Sequence, residues 1–306
     1  MKTEKNRLGF QAFIKEVSQR MRERLGGGYR IEEMEADDLN GTVKHSLLVA
    51  REGAAVRPRF NMDQCYRFYR EGLDIRTVTD ELIKALGENI PVGDAQVFNL
   101  ADWNSVKGRL RGKLVNTEKN RIFLQGVPHR EYLDLSIVYY IHVAEIAAGS
   151  SYGLQICNDH MAMWDADEGM LYRAFEENIG DVDEVLFENM SGFLTPYLQT
   201  DWKPVFSTND PGRYILGNKS GANGAVQMCN RNVLGAVAEY FRVDFWILPS
   251  SVHEVILVPC RWMEDAAREL ARTVKEINDS QVARNEFLSN HVYRYERDTG
   301  NVRIEA

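Results

Sequence analysis

The sequence predicts an α+β protein, with antiparallel or mixed sheet built from hairpin-plus-helix units and further helices on the flanks. Three observations predict it. Turn signals such as Asn40-Gly41 join pairs of runs with strand character. Apolar residues elsewhere recur at helical spacing, as in residues 8–25. The order strand, turn, strand, helix occurs three times, at 42–71, 131–179 and 244–277. A hairpin backed by a helix hides one face of an antiparallel sheet, which argues against a doubly wound fold. The three units share no evident sequence identity, so they read as similar solutions to burial.

Taken in order, Leu8, Phe10, Phe13, Ile14, Val17, Met21 and Leu25 form a helix stripe that Gly26-Gly27-Gly28 stops. Strands at 29–35 and 42–50 flank the Asn40-Gly41 turn, and a short third strand spans 54–60. Helices at 61–71 and 74–87 are separated by Gly72. Residues 102–115 carry two patterns. Lys107, Arg109, Arg111 and Lys113 alternate as on a strand, whereas Trp103, Val106, Leu110 and Leu114 fit a helix stripe, and the helix is the reading adopted. A short helix at 117–125 ends at Gly126. A long apolar strand covers 131–144 and turns at Gly149-Ser150 into a second strand at 152–158. Helices follow at 167–179 and 181–190, broken at Gly180. Residues 195–213 read as loop, 213–217 as strand, and Asn218 to Gly224 as a polar bend. A helix at 231–241, strands at 244–248 and 253–258 around Pro249, a helix at 262–277 and a hairpin around Thr299-Gly300 complete the chain. Pro91 and Gly93 suggest a break between an N-terminal α+β unit, 1–92, and a main domain, 93–306, unless 1–306 is one integrated domain.

Composition narrows the function classes. A formal charge of −8 argues against a nucleic-acid or anionic-membrane binder, which needs a basic surface. No stretch approaches the about 20 apolar residues that span a bilayer. The opening MKTEKNRLGFQAFIKEV lacks the apolar core of a signal peptide. Cys65, Cys157, Cys229 and Cys260 are far apart and lack CxxC spacing, which fits reduced core thiols in the cytoplasm. No cofactor or metal site is expected.

Residues 247–259, ILPSSVHEVILVP, concentrate polar chemistry most sharply. His253 and Glu254 stand at the mouth of a strand that is otherwise apolar, where polar groups are costly unless satisfied or used. Alternation points their side chains oppositely, which weakens a simple dyad. HEVIL lacks the second histidine of HExxH, so a zincin is excluded. Ser250 and Ser251 shortly precede His253, but a hydrolase needs the serine Oγ within reach of the ring and an oxyanion hole, no G-x-S-x-G elbow supplies one, and serines after a proline form turns. Asn158, Asp159 and His160 end a strand and suit either ligand binding or the capping of a following helix. The NKSGANG bend at 218–224 resembles an anion-cradling loop but lacks the full P-loop pattern and the GxGxxG fingerprint, and a surface turn is the simpler reading. Lys107, Arg109, Arg111, Lys113, Lys119 and Arg121 read as a solvated face. Tyr139, Tyr140 and His142 fit a pocket wall or sheet packing.

KLVNTEKN at 113–120, VPHREYLDLSIVYY at 127–140, NDHMAMW at 158–164, YILGN at 214–218 and ILPSSVHEVILVP at 247–259 together resemble an uncharacterised domain-of-unknown-function family of gut Firmicutes. The C-terminal YILGN…LPSSVHEV part is also faintly similar to YtpQ-like proteins. The resemblance implies a bacterial intracellular protein with an integrated α+β body and transfers no activity or catalytic residue. The leading expectation is therefore a non-enzymatic module that binds a protein or small molecule. Its candidate ligand-binding residues are His253, Glu254, Ser250, Ser251, Asn158, Asp159 and His160. The alternative is a hydrolase or metal-assisted enzyme using His253 and Glu254 with Asp159 and His160.

Overall fold

A computed structural model of the chain describes residues 7–51, 59–89, 99–146, 150–180, 185–190, 212–249, 251–260 and 266–306. The chain divides into two units, Met1–Val97 and Phe98–Ala306.

The first unit begins with α1 (Phe10–Leu25), whose Phe13, Ile14, Val17 and Met21 are buried. Gly26 ends it at φ 71, a conformation that costs glycine nothing. Strands β1 (Tyr29–Asp37) and β2 (Val43–Arg51) pair antiparallel. Asn40 and Gly41 both take positive φ in the connection, as the Asn-Gly signal demands. Of the expected third strand, Arg59–Asn61 is seen as β3, paired to β2, and 52–58 lie outside the described residues. Helix α2 (Met62–Glu71) is capped by the Asn61 side chain, which accepts from the N–H groups of Asp63 and Gln64. Helix α3 is Ile75–Asn89. Ile31, Leu47 and Val49 from the sheet join Phe13, Met62, Val78 and Leu86 from the helices in one core.

The second unit holds two sheets. The first consists of β4 (Leu110–Asn116), β5 (His129–Tyr132), β6 (Leu135–Ile146) and β7 (Ser150–Gln155), with β6 in the middle and every pairing antiparallel. The second runs β13–β12–β10–β11–β9–β8, also antiparallel throughout, with β8 Val185–Asn189, β9 Tyr214–Asn218, β10 Phe245–Leu248, β11 Val255–Pro259, β12 Tyr293–Glu296 and β13 Asn301–Ile304. Helices α4 (Trp103–Val106), α5 (Arg121–Gln125), α6 (Asn158–Trp164), α7 (Glu168–Ile179) and α8 (Arg231–Phe241) accompany them, and α9 (Ala267–Ser280) follows β11.

Strand alternation decides which layer each residue joins. Phe245, Ile247, Val255 and Leu257 enter the main core with Leu110, Leu114, Tyr139 and Phe175. Trp246, Leu248 and Val258 face the other way and pack with Leu270 and Val274 of α9. Strand β11 therefore lies between β10 and β9 with both faces covered, which is why VILVP is wholly apolar. The hairpin-plus-helix plan recurs as β2–β3–α2, β6–β7–α6 and β10–β11–α9.

Three expectations need correction. Residues 102–115 are one helical turn, a 3-10 turn and strand β4, not one helix. Leu110, Gly112 and Leu114 alternate into the core, and the apparent helix stripe arose from adding Trp103 and Val106 of a different element. Residues 185–189 form strand β8 and not helix, because Val185 and Phe187 reach the core two residues apart while the backbone pairs with β9. The single strand expected over 131–144 is a hairpin, folded at Leu133, which takes φ 60, and Asp134. The Asp134 carboxylate accepts from the Ser289 hydroxyl at 2.7 Å and the Tyr293 hydroxyl at 2.6 Å, which fixes that turn in place. Most of the expected 195–213 loop and the start of the 262–277 helix lie outside the described residues. No helix among the described residues is long and apolar enough to cross a membrane.

Candidate functional site

The polar residues before β11 close a turn. Strand pairing starts at Val255, so His253 and Glu254 precede the strand and do not open it. Ser251 is buried, and its Oγ accepts the His253 N–H at 3.0 Å while donating to Glu254 Oε1 at 2.8 Å. This is the local bonding by which serine makes turns. The serine proton thus goes to the glutamate and not to the imidazole. His253 Nδ1 accepts the Asn223 N–H at 3.3 Å, and its Nε2 lies 3.6 Å from Glu286 Oε1. Ser250 lies outside the described residues.

Asn158, Asp159 and His160 form the first turn of α6, and Asn158 and His160 have partners of their own. His160 Nδ1 accepts the Cys157 N–H at 2.9 Å, completing a capping box, and its ring stacks on Trp164. Asn158 donates to the Gln125 carbonyl at 2.9 Å. Asp159 is exposed. Among the described residues, no cluster of three or more His, Cys, Asp or Glu is arranged to hold a metal ion.

The 218–224 bend is tied to His253. A Cβ placed on Gly224 would meet the His253 carbonyl and the Asn218 nitrogen, each at 2.5 Å. Only glycine permits that approach. Asn218 staples the bend from within: its Oδ1 accepts from Ser220 Oγ and the Ala222 N–H, and its Nδ2 donates to the Ala222 carbonyl at 2.6 Å. Asn223, at φ 58, offers its backbone N–H to His253.

Beside Tyr140 lies a cleft of about 100 Å³. Strand β4 supplies Arg111 and Gly112, and β6 supplies Tyr140 and His142. Helix α7 adds Phe175, Asn178 and Ile179. Asn218 and Ser220 come from the bend, and Val226 and Gln227 from the 3-10 helix after it (Gly224–Cys229). Arg111 stands directly opposite Tyr140 in the β4–β6 register, on the face away from the core. Gly112 faces inward, where the Phe175 ring occupies the space a side chain would need.

The chemistry of this wall is one-sided. Arg111 Nη1 donates to the carbonyls of Gly108 at 3.2 Å and Leu110 at 3.1 Å. Its Nε and Nη2 have no hydrogen-bond partner among the described residues. Gln227 is only 5% exposed; its Oε1 accepts from Asn230 at 3.1 Å, while its Nε2 has no partner among the described residues. Asn178 donates to the carbonyls of Lys107 and Leu110, which leaves its Oδ1 as an acceptor. No carboxylate lines the cleft among the described residues. Burial raises the Tyr140 hydroxyl above its ordinary pKa, against the opposing pull of Asn223 and Arg111, so it stays protonated at neutral pH.

The sequence marks some of these residues but does not join them. In the sequence the bend reads as an anion-cradling loop or a surface turn, and Tyr140 and His142 as a pocket wall or sheet packing. Arg111 falls on a solvated face when its segment is taken as helix. Asn178 and Gln227 carried no signal, since a single amide within a helical pattern is ordinary. Of the other cations in that group, Lys113 lies over Phe123 and Lys119 over Phe287. Arg121 pairs with Glu118.

Fold and cleft together define an α+β protein with a donor-rich pocket where its two larger sheets adjoin. The chain belongs to DUF5688, a family of unknown function, whose match spans residues 10–297. No curated protein and no solved structure matches it.

Proposed function

We propose that this protein is a non-enzymatic module that binds a small polar molecule in the cleft between β4, α7 and the 218–224 bend. One observation carries the reading: Gln227 is almost wholly buried as a residue, and its Nε2, which has no acceptor among the described residues, is the part that solvent still reaches, on the wall of the cleft. A donor held on a cavity wall with no protein acceptor beside it marks a place where water or ligand completes the bonding. His253 and Glu254 serve as the brace of the bend and not as the contact surface.

Binding is favoured over hydrolysis. A Ser-His-Glu mechanism needs the serine proton on the imidazole, and Ser251 gives its proton to Glu254 instead. His160 is engaged in the cap of α6. Four free thiols suit a protein of the reducing cytoplasm. The net charge of −8 favours a small molecule over nucleic acid as partner.

Ligand-observed NMR on the full chain, against a library of small neutral, anionic and cationic compounds, tests the reading. A Ser220→Trp variant, which places a large ring at the cleft mouth, should abolish the hits. Hits should persist unchanged on prolonged incubation. Binding that survives Ser220→Trp, or conversion of any hit to product, refutes the proposal.

A further inference from the structure

Resting on the binding role proposed for this cleft, the geometry points further, to the chemical class of the ligand: we infer that the cleft takes an oxyanion, a carboxylate or phosphate group, side-on against Arg111. The guanidinium has a fixed fork of donors. Two backbone carbonyls hold Nη1, which orients the plane and leaves the Nε–Nη2 edge for another acceptor. That edge presents two parallel N–H groups at the spacing of two oxygens on one carboxylate or phosphate. Gln227 Nε2 is a third donor in the same cleft.

Charge agrees with geometry. The cleft is lined by a guanidinium and, among the described residues, by no carboxylate, in a chain whose acidic residues exceed its basic ones, 45 against 37. A cation or a metal would find no anionic partner on this wall. A neutral molecule would leave the guanidinium edge unneutralised in a partly enclosed space, where charge is least well screened. Size narrows the choice. A cavity of about 100 Å³ is small beside the roughly 300–1,000 Å³ of ordinary ligand pockets, which suits one oxyanion group and not a whole cofactor. Any remainder of the ligand would project past the bend, where Lys219 is exposed.

The test is calorimetric titration of the full chain at constant ionic strength with inorganic phosphate, succinate and, as neutral counterpart, succinamide. Saturable binding of phosphate or succinate, with succinamide at least about tenfold weaker, supports the inference, a tenfold ratio being about 1.4 kcal/mol. Phosphate without succinate identifies a phosphoryl ligand, and the converse a carboxylate. Arg111→Gln should lower the oxyanion affinity at least tenfold. Arg111→Lys, which keeps the charge but loses the fork, should fall between. Gln227→Glu, which places a carboxylate in the cleft, should weaken oxyanions and spare succinamide. A thermal melt of each variant confirms that it is folded. Succinamide binding as tightly as succinate, with Arg111→Gln harmless, overturns the oxyanion class and leaves a small-molecule cleft standing. Absence of saturable binding by all three probes overturns the oxyanion inference, and the library screen with Ser220→Trp then decides whether the cleft binds anything else.

Discussion

Replacing Gly224 by alanine tests the geometry that joins the 218–224 bend to His253. The added methyl would lie 2.5 Å from the Asn218 nitrogen, 2.5 Å from the His253 carbonyl oxygen and 2.8 Å from Gly217 Cα. Comfortable contacts fall at about 3.5–4.0 Å, so the chain must open by about 1 Å on more than one side. All three atoms are backbone, and no side chain can rotate away. Overpacking of this kind costs about 1–3 kcal/mol, and the upper end applies where only backbone can yield. A unit of this size loses roughly 2–4 °C of melting temperature per kcal/mol, which makes the expected loss about 6–12 °C. Trp103, Trp164, Trp202, Trp246 and Trp262 all lie in the second unit and none in the first, so tryptophan fluorescence reads the relevant transition. Gly221→Ala is the control. Its site is open, with φ +66, and only the left-handed backbone penalty of roughly 1–2 kcal/mol applies. A Gly224→Ala protein that melts within about 2 °C of the parent, less than the loss of 1 kcal/mol would give, refutes the close approach.

Three further outcomes follow from other parts of the structure. Phe175→Ala removes a ring that is 2% exposed and packed on Gly112 and Tyr139, and should cost about 3–5 kcal/mol by denaturant titration; a loss under 1 kcal/mol contradicts its place in the core. Burial raises the Asp244 carboxyl, but the Arg297 N–H and the Arg294 guanidinium outweigh it and hold the pKa below the ordinary value. A lowered folded-state pKa stabilises above the unfolded value, about 3.9, and that contribution disappears as pH falls through the folded one. The stability gap between the parent and Asp244→Asn, about 1–3 kcal/mol at neutral pH, should therefore close as pH drops below about 4; a constant gap contradicts the assignment. Burial also pushes the Cys65 thiol up to about 11, so only about one thiol in a thousand is ionised at pH 8. Iodoacetamide should label Cys65 slowly in the folded chain and readily in urea, as followed by peptide mass analysis.

Local signals in this sequence were legible where one element satisfied them. Asn40-Gly41, the Gly26 stop and the Thr299-Gly300 hairpin each need only a few adjacent residues, and each turn stands where the signal placed it. Residues 102–115 failed because periodicity cannot say where one element ends. Trp103 and Val106 belong to a helical turn, Leu110 and Leu114 to a strand, and the four happen to share helical spacing. Helix α7 was readable, but strand β8 after it was not, since Val185 and Phe187 show their period of two over five residues only. The cleft was beyond sequence for a related reason. Its walls come from β4, β6, α7 and the 218–227 segment, and only the β4–β6 register sets Arg111 beside Tyr140.

His253 and Arg111 show how conspicuous chemistry and available chemistry come apart. His253 stands out in the sequence because it borders an apolar strand, yet a buried polar neighbourhood can be satisfied from within, and here a turn and a backbone N–H do so. Arg111 is one cation among several in the sequence, yet its fork has two donors left over among the described residues. Opposite responses should follow. His253→Gln removes a long hydrogen bond that holds the bend, worth about 0.5–1.5 kcal/mol, and should lower the melting temperature by roughly 1–6 °C while weakening ligands only through a looser bend. Arg111→Gln gives up two hydrogen bonds to carbonyls, but Leu110 keeps the Asn178 donor and Gly108 is exposed to water, so the melting temperature should stay within about 2 °C while oxyanion affinity falls at least tenfold. The two variants measured side by side, by tryptophan melting and by titration with the same oxyanion, give a crossed result if the assignment is right. The reverse cross, with binding lost in His253→Gln at unchanged stability and kept in Arg111→Gln, would return the imidazole to the ligand site and strip Arg111 of its role.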